Sequence, residues 1–496
     1  MTSTKCTHRR AGCLQQRGIC ASHRGSCVWA TLRLTLLAVA FCCLSARTAA
    51  AAEIDGSGGL RVDRLCSHCH RLPDPEVLPK EAWPATIFQM GALGGFGANV
   101  PGEIDLEAVA AWYVDQAPEE LPPPQAARVE AAPRFQPREA LALPDTGRLP
   151  FVSSLGVADL GSSSEPSLVI CDMHNGGVWR GPATAAAWTP TKIADLASPA
   201  RAEAVDLDQD GRMDLVVAVL GSPMAMDHLL GQVVWLRQAS DRAFETIVLD
   251  ADLGRVADVQ PGDFDGDGDI DLAVAEFGWR QTGHVFLLTN QPQPDGTPRF
   301  ERTELDGNHG ASRLVPADID RDGRLDLVAL FAQEHELVRI YRNGETGWSQ
   351  RHEVYRAPHP AWGHASMQLA DIDGDGDADI LLANGDAYDN AVLKPSHGLR
   401  WLENRGDFSF AAHDLAEMPG CYAAAAADLD GDGDIDLVAS ALAEPQIGSV
   451  DVARLASLIW LEQTEAGSFR RHVLEVGDLC HPVLALRNHD TGELPD

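Results

Sequence analysis

The chain has 496 residues, more than one ordinary hydrophobic core supports, so we expect more than one structural unit. Its formal net charge is −34 and its hydrophobic content is 45%, values typical of a folded acidic protein rather than of a disordered chain. Such a surface repels phosphate groups and no basic stripe interrupts it, so we expect no nucleic acid partner.

The N-terminal segment, residues 1–52, has the composition of an export signal. A basic stretch that ends near Arg33 precedes the apolar run LTLLAVAFCCLSA and the small-residue run ARTAAAAE. These correspond to the n-region, the h-region and an Ala-x-Ala type cleavage site. The apolar run is short for a stable transmembrane span, and an uncleaved anchor is the alternative interpretation. We therefore expect an exported protein, periplasmic or extracellular, whose mature chain has no membrane span.

Residues 54–118 combine the motif CSHCH with two stretches of helical periodicity, EAWPATIFQM and DLEAVAAWYVDQA. A CxxCH motif places two thiols where they reach both vinyl groups of a haem, and the next residue ligates the iron. Cys66, Cys69 and His70 are therefore the predicted attachment residues. Met90, the only methionine between positions 70 and 172, is the predicted sixth ligand. A zinc site would need a second Cys or His pair, and a disulfide between the two cysteines is the other alternative.

This segment resembles small monohaem cytochrome c domains over about 65 residues. The resemblance implies a small all-α domain that carries one covalent haem c and exchanges electrons with a redox partner protein. The segment that follows, residues 119–133, is rich in Pro and Ala and is typical of a linker.

Residues 134–496 have the pattern of a repeated β-structure. Apolar runs such as LVVAV and LAVAE recur along this region, and each is followed by a run with an aromatic residue, such as VVWLRQ. Four short strands in each unit of about 55 residues is the content of a propeller blade.

Five copies of Asp-x-Asp-x-Asp-Gly-x-x-Asp occur in this region, and their first residues are 57, 55, 53 and 57 positions apart. One degenerate copy begins at Asp159. Another begins at Asn488, with Asp490 and Asp496 on its third and ninth positions. These seven units predict seven blades, of which the last is incomplete, and residues 134–143 are a candidate outer strand for it.

The five complete copies have the donor pattern of a Ca²⁺ loop. Carboxylates at positions 1, 3 and 5 of an extended turn point to one side, the carbonyl of position 7 adds an oxygen, and position 9 closes the cage. Glycine at position 6 permits a positive φ. An EF-hand is excluded because no Glu stands at position 12, and a nonapeptide β-roll is excluded by its period. A solvated acidic turn would explain one copy but not five at regular spacing.

We therefore expect about five Ca²⁺ ions. The predicted side-chain ligands are Asp206, Asp208, Asp210 and Asp214; Asp263, Asp265, Asp267 and Asp271; Asp318, Asp320, Asp322 and Asp326; Asp371, Asp373, Asp375 and Asp379; and Asp428, Asp430, Asp432 and Asp436.

These loops resemble the FG-GAP/VCBS repeat family over residues 150–496. The resemblance implies a propeller like that of integrin α-subunits, with calcium loops in blades two to six. The expected fold is mainly β: a seven-bladed β-propeller with calcium loops, preceded by the small all-α monohaem cytochrome c-like domain.

Three functions are consistent with this organisation. The first is an exported electron-transfer protein whose propeller docks a partner protein or an extracellular polymer. The second is a binding or adhesion protein with an accessory haem. The third is a propeller oxidoreductase that passes electrons to its own haem. No GxSxG elbow, P-loop or dinucleotide fingerprint marks a catalytic pocket, so an electron carrier or binding protein is favoured over an enzyme.

Overall fold

The fold is a β-propeller of six blades, each a four-stranded antiparallel sheet made of four consecutive strands. The computed structural model describes residues 62, 70–92, 105–129, 143–144, 148–161, 166–182, 190–240, 243–291, 293, 297–388, 390–443 and 450–486. Within these residues the blades follow one another in chain order, and each strand pairs with its sequence neighbours.

Blades 1 to 3 contain the strands β1 Val152–Ala158, β2 Ser167–Asp172, β3 Gly177–Pro182, β4 Thr191–Asp195, β5 Pro199–Val205, β6 Asp214–Val219, β7 Gly231–Ser240, β8 Ala243–Leu253, β9 Val256–Gly262, β10 Asp271–Glu276, β11 His284–Asn290 and β12 Phe300–Asp306. Blades 4 to 6 contain the strands β13 Ala311–Ala317, β14 Asp326–Phe331, β15 Leu337–Gly344, β16 Gly347–Arg356, β17 His364–Ala370, β18 Asp379–Asn384, β19 Gly398–Asn404, β20 Phe410–Glu417, β21 Cys421–Ala427, β22 Asp436–Ala441, β23 Ala456–Glu465 and β24 Ser468–Val476.

The second strand of every blade is buried along its whole length. These strands contain the apolar runs of the sequence, and their near-continuous hydrophobicity is what a strand covered on both faces requires. The fourth strands, at the rim, are exposed at many positions. The hydrophobic pattern therefore decides which strand lies inside each blade and which faces solvent.

Neighbouring blades pack face to face through side chains from their inner three strands. Between blades 2 and 3 the buried layer includes Val216, Trp235, Val259, Leu272 and Phe286. Burial of each such side chain contributes about 1.5–3 kcal/mol, so these layers are the main source of stability.

Two helices precede the propeller, α1 Ala82–Ala92 and α2 Leu106–Gln116, and both predicted helical stretches are confirmed. Trp83 of α1 stacks on Tyr113 of α2 with ring centroids 3.9 Å apart. The Asp105 side chain caps α2 by accepting a hydrogen bond from the Ala108 amide at 3.0 Å.

The prediction of a separate all-α cytochrome c-like domain is wrong for the described residues, which contain only these two α-helices before the first strand. Their hydrophobic core is not closed, because Val392 of blade 5 packs against it. The Arg71 guanidinium also donates to the Ala357 carbonyl at 2.9 Å, and the Ala127 amide donates to the Arg454 carbonyl at 2.7 Å. Two helices of this length bury too little surface to fold alone, and the propeller supplies the missing surface.

The prediction of seven blades is also wrong, because the described residues form six sheets. After β24 the chain makes a single isolated bridge, from Cys480 to Leu442, and residues 481–486 form no strand ladder. One extended segment has no second strand with which to build a sheet. The other parts of the expected seventh unit, residues 134–142 and 487–496, lie outside the described residues.

Among the described residues, no helix combines the length and the apolar composition needed to cross a membrane.

Candidate metal centre

The five Asp-rich loops all connect the first strand of a blade to its second strand. They are named here after their blades: loop 2 (206–214), loop 3 (263–271), loop 4 (318–326), loop 5 (371–379) and loop 6 (428–436). Because antiparallel strands alternate in direction, the connections from first to second strands all lie on one face of the propeller, and the connections from second to third strands lie on the other. The five predicted sites therefore share one face.

In four loops the structure brings three predicted ligands together, with carboxylate oxygens within 4.8 Å of one another. In loops 3, 4 and 5 the three aspartates stand at positions 1, 3 and 9, and in loop 2 they stand at positions 1, 3 and 5. Carboxylates from alternate residues of a turn are the donor set that Ca²⁺ prefers. The residues present therefore fit a hard divalent cation.

The aspartate at position 1 holds the turn closed. In loop 3, Asp263 accepts hydrogen bonds from the amides of Gly266 at 2.7 Å and Gly268 at 3.1 Å. Loop 6 repeats this pair of bonds, from the amides of positions 4 and 6. In loops 2 and 4 the donors are the amides of positions 5 and 6. The carboxylate thus contributes to the closed conformation of its own loop.

The glycine at position 6 has the positive φ expected from the sequence, with values of 86° to 98° in the five loops. Position 4 is left-handed as well, which the sequence analysis missed. Three loops have glycine there, but loops 2 and 4 have Gln209 with φ 54° and Arg321 with φ 59°. A side chain in this region carries a cost of about 1–2 kcal/mol, which indicates that these two residues make compensating contacts.

The aspartate at position 9 is fully buried and begins the second strand. In loop 3, Asp271 accepts from the Phe264 amide at 3.0 Å and from the Asn290 amide of the third strand at 2.7 Å. Burial raises the pKa of Asp271 to about 6, against the lowering effect of these two amides. Loops 4, 5 and 6 have the same pair of bonds. This residue ties the loop to the blade, a role that sequence spacing alone could not reveal.

Tryptophans at one register position of the third strands lie beside this carboxylate. The Trp235 indole N–H donates to Asp214 Oδ2 at 2.8 Å. The indole of Trp401 lowers the pKa of Asp379, although burial, the larger effect, raises it to about 6. Repetition of these tryptophans with the blades indicates core positions, and the structure adds a polar contact with the loops.

The loops also contain carboxylates that disfavour one another's charge. Burial and the neighbouring Asp267 and Asp263 raise the pKa of Asp265. Burial and nearby carboxylates, Asp432 first, raise the pKa of Asp434 to about 6. A bound divalent cation would remove this repulsion.

Of the predicted haem residues, His70 and Met90 lie within the described residues, whereas Cys66 and Cys69 lie outside them. His70 Nδ1 lies 2.7 Å from the Arg71 carbonyl oxygen, which favours the tautomer with its proton on Nδ1 and leaves Nε2 to face a metal. Met90 is partly buried on α1 and packs against the helical core. This part of the chain is therefore compatible with an axial histidine, and haem attachment stays a prediction.

The geometry defines a class of protein, a β-propeller built from repeats with an Asp-rich turn between the first and second strands. The family model described as FG-GAP-like repeat matches residues 263–329 and 383–439. These two segments include loops 3, 4 and 6, so the propeller contains FG-GAP-like repeats. No curated protein matches the chain.

Solved structures with similarity to this chain include that of BBS1N in complex with ARL6DN, soaked with mercury. It has 14% sequence identity and a TM-score of 0.35, and the match covers 59% of this chain and 88% of that one. The Vibrio cholerae biofilm matrix protein Bap1 has 19% identity and a TM-score of 0.30. That match covers 54% of this chain and 38% of Bap1.

Proposed function

We propose that the protein is a calcium-stabilised β-propeller that acts outside the cytoplasm and docks a protein or polymer partner. The observation that carries this proposal is the convergence of three carboxylates within 4.8 Å in each of four loops on one face. The export signal predicted for residues 1–52 supports the location. Free Ca²⁺ is also abundant outside the cell, where calcium modules need only modest affinity.

The ions would have a structural role. Each loop joins the first and second strands of a blade, and its position 9 aspartate also reaches the third strand. An ion bound to positions 1, 3, 5 and 9 would therefore link three strands of one blade. Among the described loop residues no nucleophile or general base recurs beside the carboxylates, which argues against a catalytic use of the ions.

The opposite face supports the docking role. It carries the three longest connections between second and third strands, residues 220–230 in blade 2, 385–397 in blade 5 and 442–455 in blade 6, together with the helical segment. Long connections held by a rigid scaffold are where binding residues are usually found. In this proposal the two roles lie on opposite faces: the ions bind to the loops of one face, and the partner docks on the other.

Metal analysis tests the proposal. The exported protein, dialysed to equilibrium against buffer with CaCl₂ at about 1 mM, is expected to bind calcium in excess over the dialysate, and the double substitution Asp371→Asn with Asp373→Asn is expected to lose one equivalent. Asp115→Asn, at an exposed position of α2, is the matched control and should lose none. Wild-type protein that binds no calcium under these conditions would contradict the proposal.

A second candidate function is electron transfer, and the contact between His70 Nδ1 and the Arg71 carbonyl favours it. A haem, when bound to Cys66, Cys69 and His70, would supply reversible one-electron chemistry. The chain's own contribution would be to fix the histidine tautomer and ring orientation through this carbonyl.

A visible spectrum of protein matured with a cytochrome c assembly system tests this second candidate. A covalent haem spectrum is expected, and Cys69→Ala should reduce it strongly. Met90→Leu should retain the attached haem but alter the spectrum, because the predicted sixth ligand is lost. Colourless wild-type protein would eliminate electron transfer and leave the docking role unaffected.

A further inference from the structure

Two arginines place positive charge beside the carboxylates of loop 2. Arg237 of the third strand donates through Nε to Asp208 Oδ2 at 2.6 Å, and its Nη2 lies 3.6 Å from Asp210 Oδ2. Arg212, at position 7 of the loop, pairs with Asp210 from the other side. Its Nε also donates to the Gln238 carbonyl at 2.9 Å, so its side chain is held in place. Two guanidinium groups therefore contact the carboxylates at positions 3 and 5.

Loop 4 repeats this arrangement contact for contact. Arg342 donates through Nε to Asp320 Oδ2 at 2.5 Å, and its Nη2 lies 3.7 Å from Asp322 Oδ2. Arg324, at position 7, lies 3.3 Å from the same Asp322 oxygen. Its Nε donates to the Asn343 carbonyl at 3.1 Å. The repetition in a non-adjacent blade indicates a built feature rather than a chance surface contact.

Loops 3, 5 and 6 have no arginine at either position: position 7 is acidic in all three, and the other position is neutral in loop 3 and acidic in loops 5 and 6. The pairing of second and third strands identifies the residue equivalent to Arg237 in every blade. In blade 2, Leu236, which precedes Arg237, pairs with Leu215, which follows position 9. The same pairing in the other blades gives the equivalent third-strand residues. The equivalent residues in loops 3, 5 and 6 are Thr289, Glu403 and Glu462, and those at position 7 are Asp269, Asp377 and Asp434.

A guanidinium within hydrogen-bond distance of a carboxylate competes with a cation for that carboxylate in two ways. It occupies an oxygen that would face the ion, and it repels a divalent charge a few ångströms away by several kcal/mol even at an effective dielectric constant of about 20. The position 7 aspartates of loops 3, 5 and 6 add negative charge instead, although Asp377 is paired with Arg321 of loop 4. The five loops thus offer a cation two different electrostatic environments.

We propose that loops 3, 5 and 6 are the high-affinity Ca²⁺ sites of the propeller, and that the arginine pairs of loops 2 and 4 take the place of the ion there. The inference rests on the proposed calcium function and refines it. Blades 2 and 4 keep their loops ordered without calcium, whereas blades 3, 5 and 6 depend on it. The affinity of the arginine loops is at least about tenfold lower.

Calorimetric titration of the chelator-treated full-length protein with CaCl₂ at fixed ionic strength tests this assignment. Wild-type protein is expected to show three sites in the tight class. The double substitution Arg237→Gln with Arg342→Gln should raise that number to five. Thr289→Arg, which introduces an arginine beside loop 3, is the matched converse and should lower the number to two. Thermal unfolding of each calcium-loaded variant establishes that it is folded.

Five wild-type sites of equal affinity would overturn the inference and leave the calcium function intact. A site number that none of these substitutions changes would overturn it too. Absence of any calcium binding would overturn the inference together with the proposed function.

Luminescence of Tb³⁺ gives an independent readout of which loops are occupied. Tb³⁺ replaces Ca²⁺ among oxygen ligands, and energy transfer from nearby indoles excites it. Trp401 stands beside loop 5 and Trp460 beside loop 6, whereas Trp235 stands beside loop 2. With less Tb³⁺ than sites, Trp401→Phe and Trp460→Phe should each reduce the emission, and Trp235→Phe should leave it unchanged. Loss of emission in Trp235→Phe comparable to the other two would overturn the assignment.

Discussion

Arg321 of loop 4 donates to the carboxylate of Asp377 in loop 5 at 2.6 Å and so joins two neighbouring blades. The same guanidinium contacts the Gly376 carbonyl. Loop 2 has an equivalent contact, because the Gln209 side chain donates to the Gly268 carbonyl of loop 3 at 2.9 Å. These are the two non-glycine residues with left-handed conformation at position 4, and these contacts explain why a side chain is retained there.

A double-mutant cycle of Arg321→Ala and Asp377→Ala measures the energy of this inter-blade contact. Because Arg321 is 59% exposed, we expect a coupling free energy of about 0.2–1 kcal/mol that falls as salt is added. Urea unfolding at low and high salt provides the measurement. A coupling that does not change with salt would show that the two residues interact through the backbone rather than through their charges.

Substitution of the position 9 aspartate should destabilise the blade even in the absence of metal. Asp271 accepts hydrogen bonds from two backbone N–H groups. In Asp271→Asn the side-chain NH₂ group faces one of these two N–H groups, and that buried donor is left unsatisfied. The expected loss is about 1–3 kcal/mol in the free energy of unfolding measured in chelator. Asp269→Asn, at the partly exposed position 7 of the same loop, is the control, with an expected change within about 0.5 kcal/mol. Equal losses in the two variants would contradict the buried-acceptor role.

The layer between blades 2 and 3 should be sensitive to cavities. Leu272→Ala removes a fully buried side chain from the second strand of blade 3, so we expect a loss of about 2–5 kcal/mol. Val248→Ala, on the rim strand of blade 2, removes a side chain that is 49% exposed and should cost less than about 1 kcal/mol. Chemical denaturation of both variants checks the difference, and similar midpoints would argue against blade stacking as the main source of stability.

Acidic pH should destabilise the protein through His359. Burial, with the positive charges of Lys394 and Arg71, lowers its pKa from 6.5 to about 4, against the opposing effect of Asp74. The folded state thus favours neutral imidazole, so this contribution to stability is complete above pH 6.5 and is lost as the pH falls towards 4.

The predicted size of that loss is up to about 3 kcal/mol, and His359→Gln should lack it because glutamine does not titrate. The measurement is urea unfolding of both proteins between pH 7 and pH 4. Since His335 has a similarly lowered pKa, only the difference between the two curves reports on His359. Parallel curves would show that its protonation is not linked to folding.

The local features of the loops could be predicted from the sequence because they depend on neighbouring residues. The glycine at position 6 follows from the positive φ that the turn requires, and the buried second strand follows from the apolar run after each loop. The helical periodicity of the sequence also predicts both helices before the propeller.

Features that depend on strand register could not be predicted in this way. Arg237 follows loop 2 by more than twenty residues, and only the pairing of β7 with β6 places it beside Asp208. The predicted blade number was wrong for a similar reason, since a degenerate motif such as that at Asn488 indicates a repeat but does not reveal whether strands pair around it. The docking of the helical core on Val392 likewise depends on tertiary packing.

The central claim is that the Asp-rich loops bind calcium and that this calcium stabilises the propeller. The most direct test is thermal unfolding of the purified protein in excess Ca²⁺ and in excess chelator, with excess Mg²⁺ as the control ion. Calcium should raise the unfolding temperature relative to chelator, because ions that bind only the folded state stabilise it by about 2.7 kcal/mol per site at a hundredfold excess over Kd. Magnesium should have a much smaller effect, because its octahedral geometry suits these loops poorly. Identical unfolding temperatures in calcium and chelator would contradict the calcium-stabilised propeller.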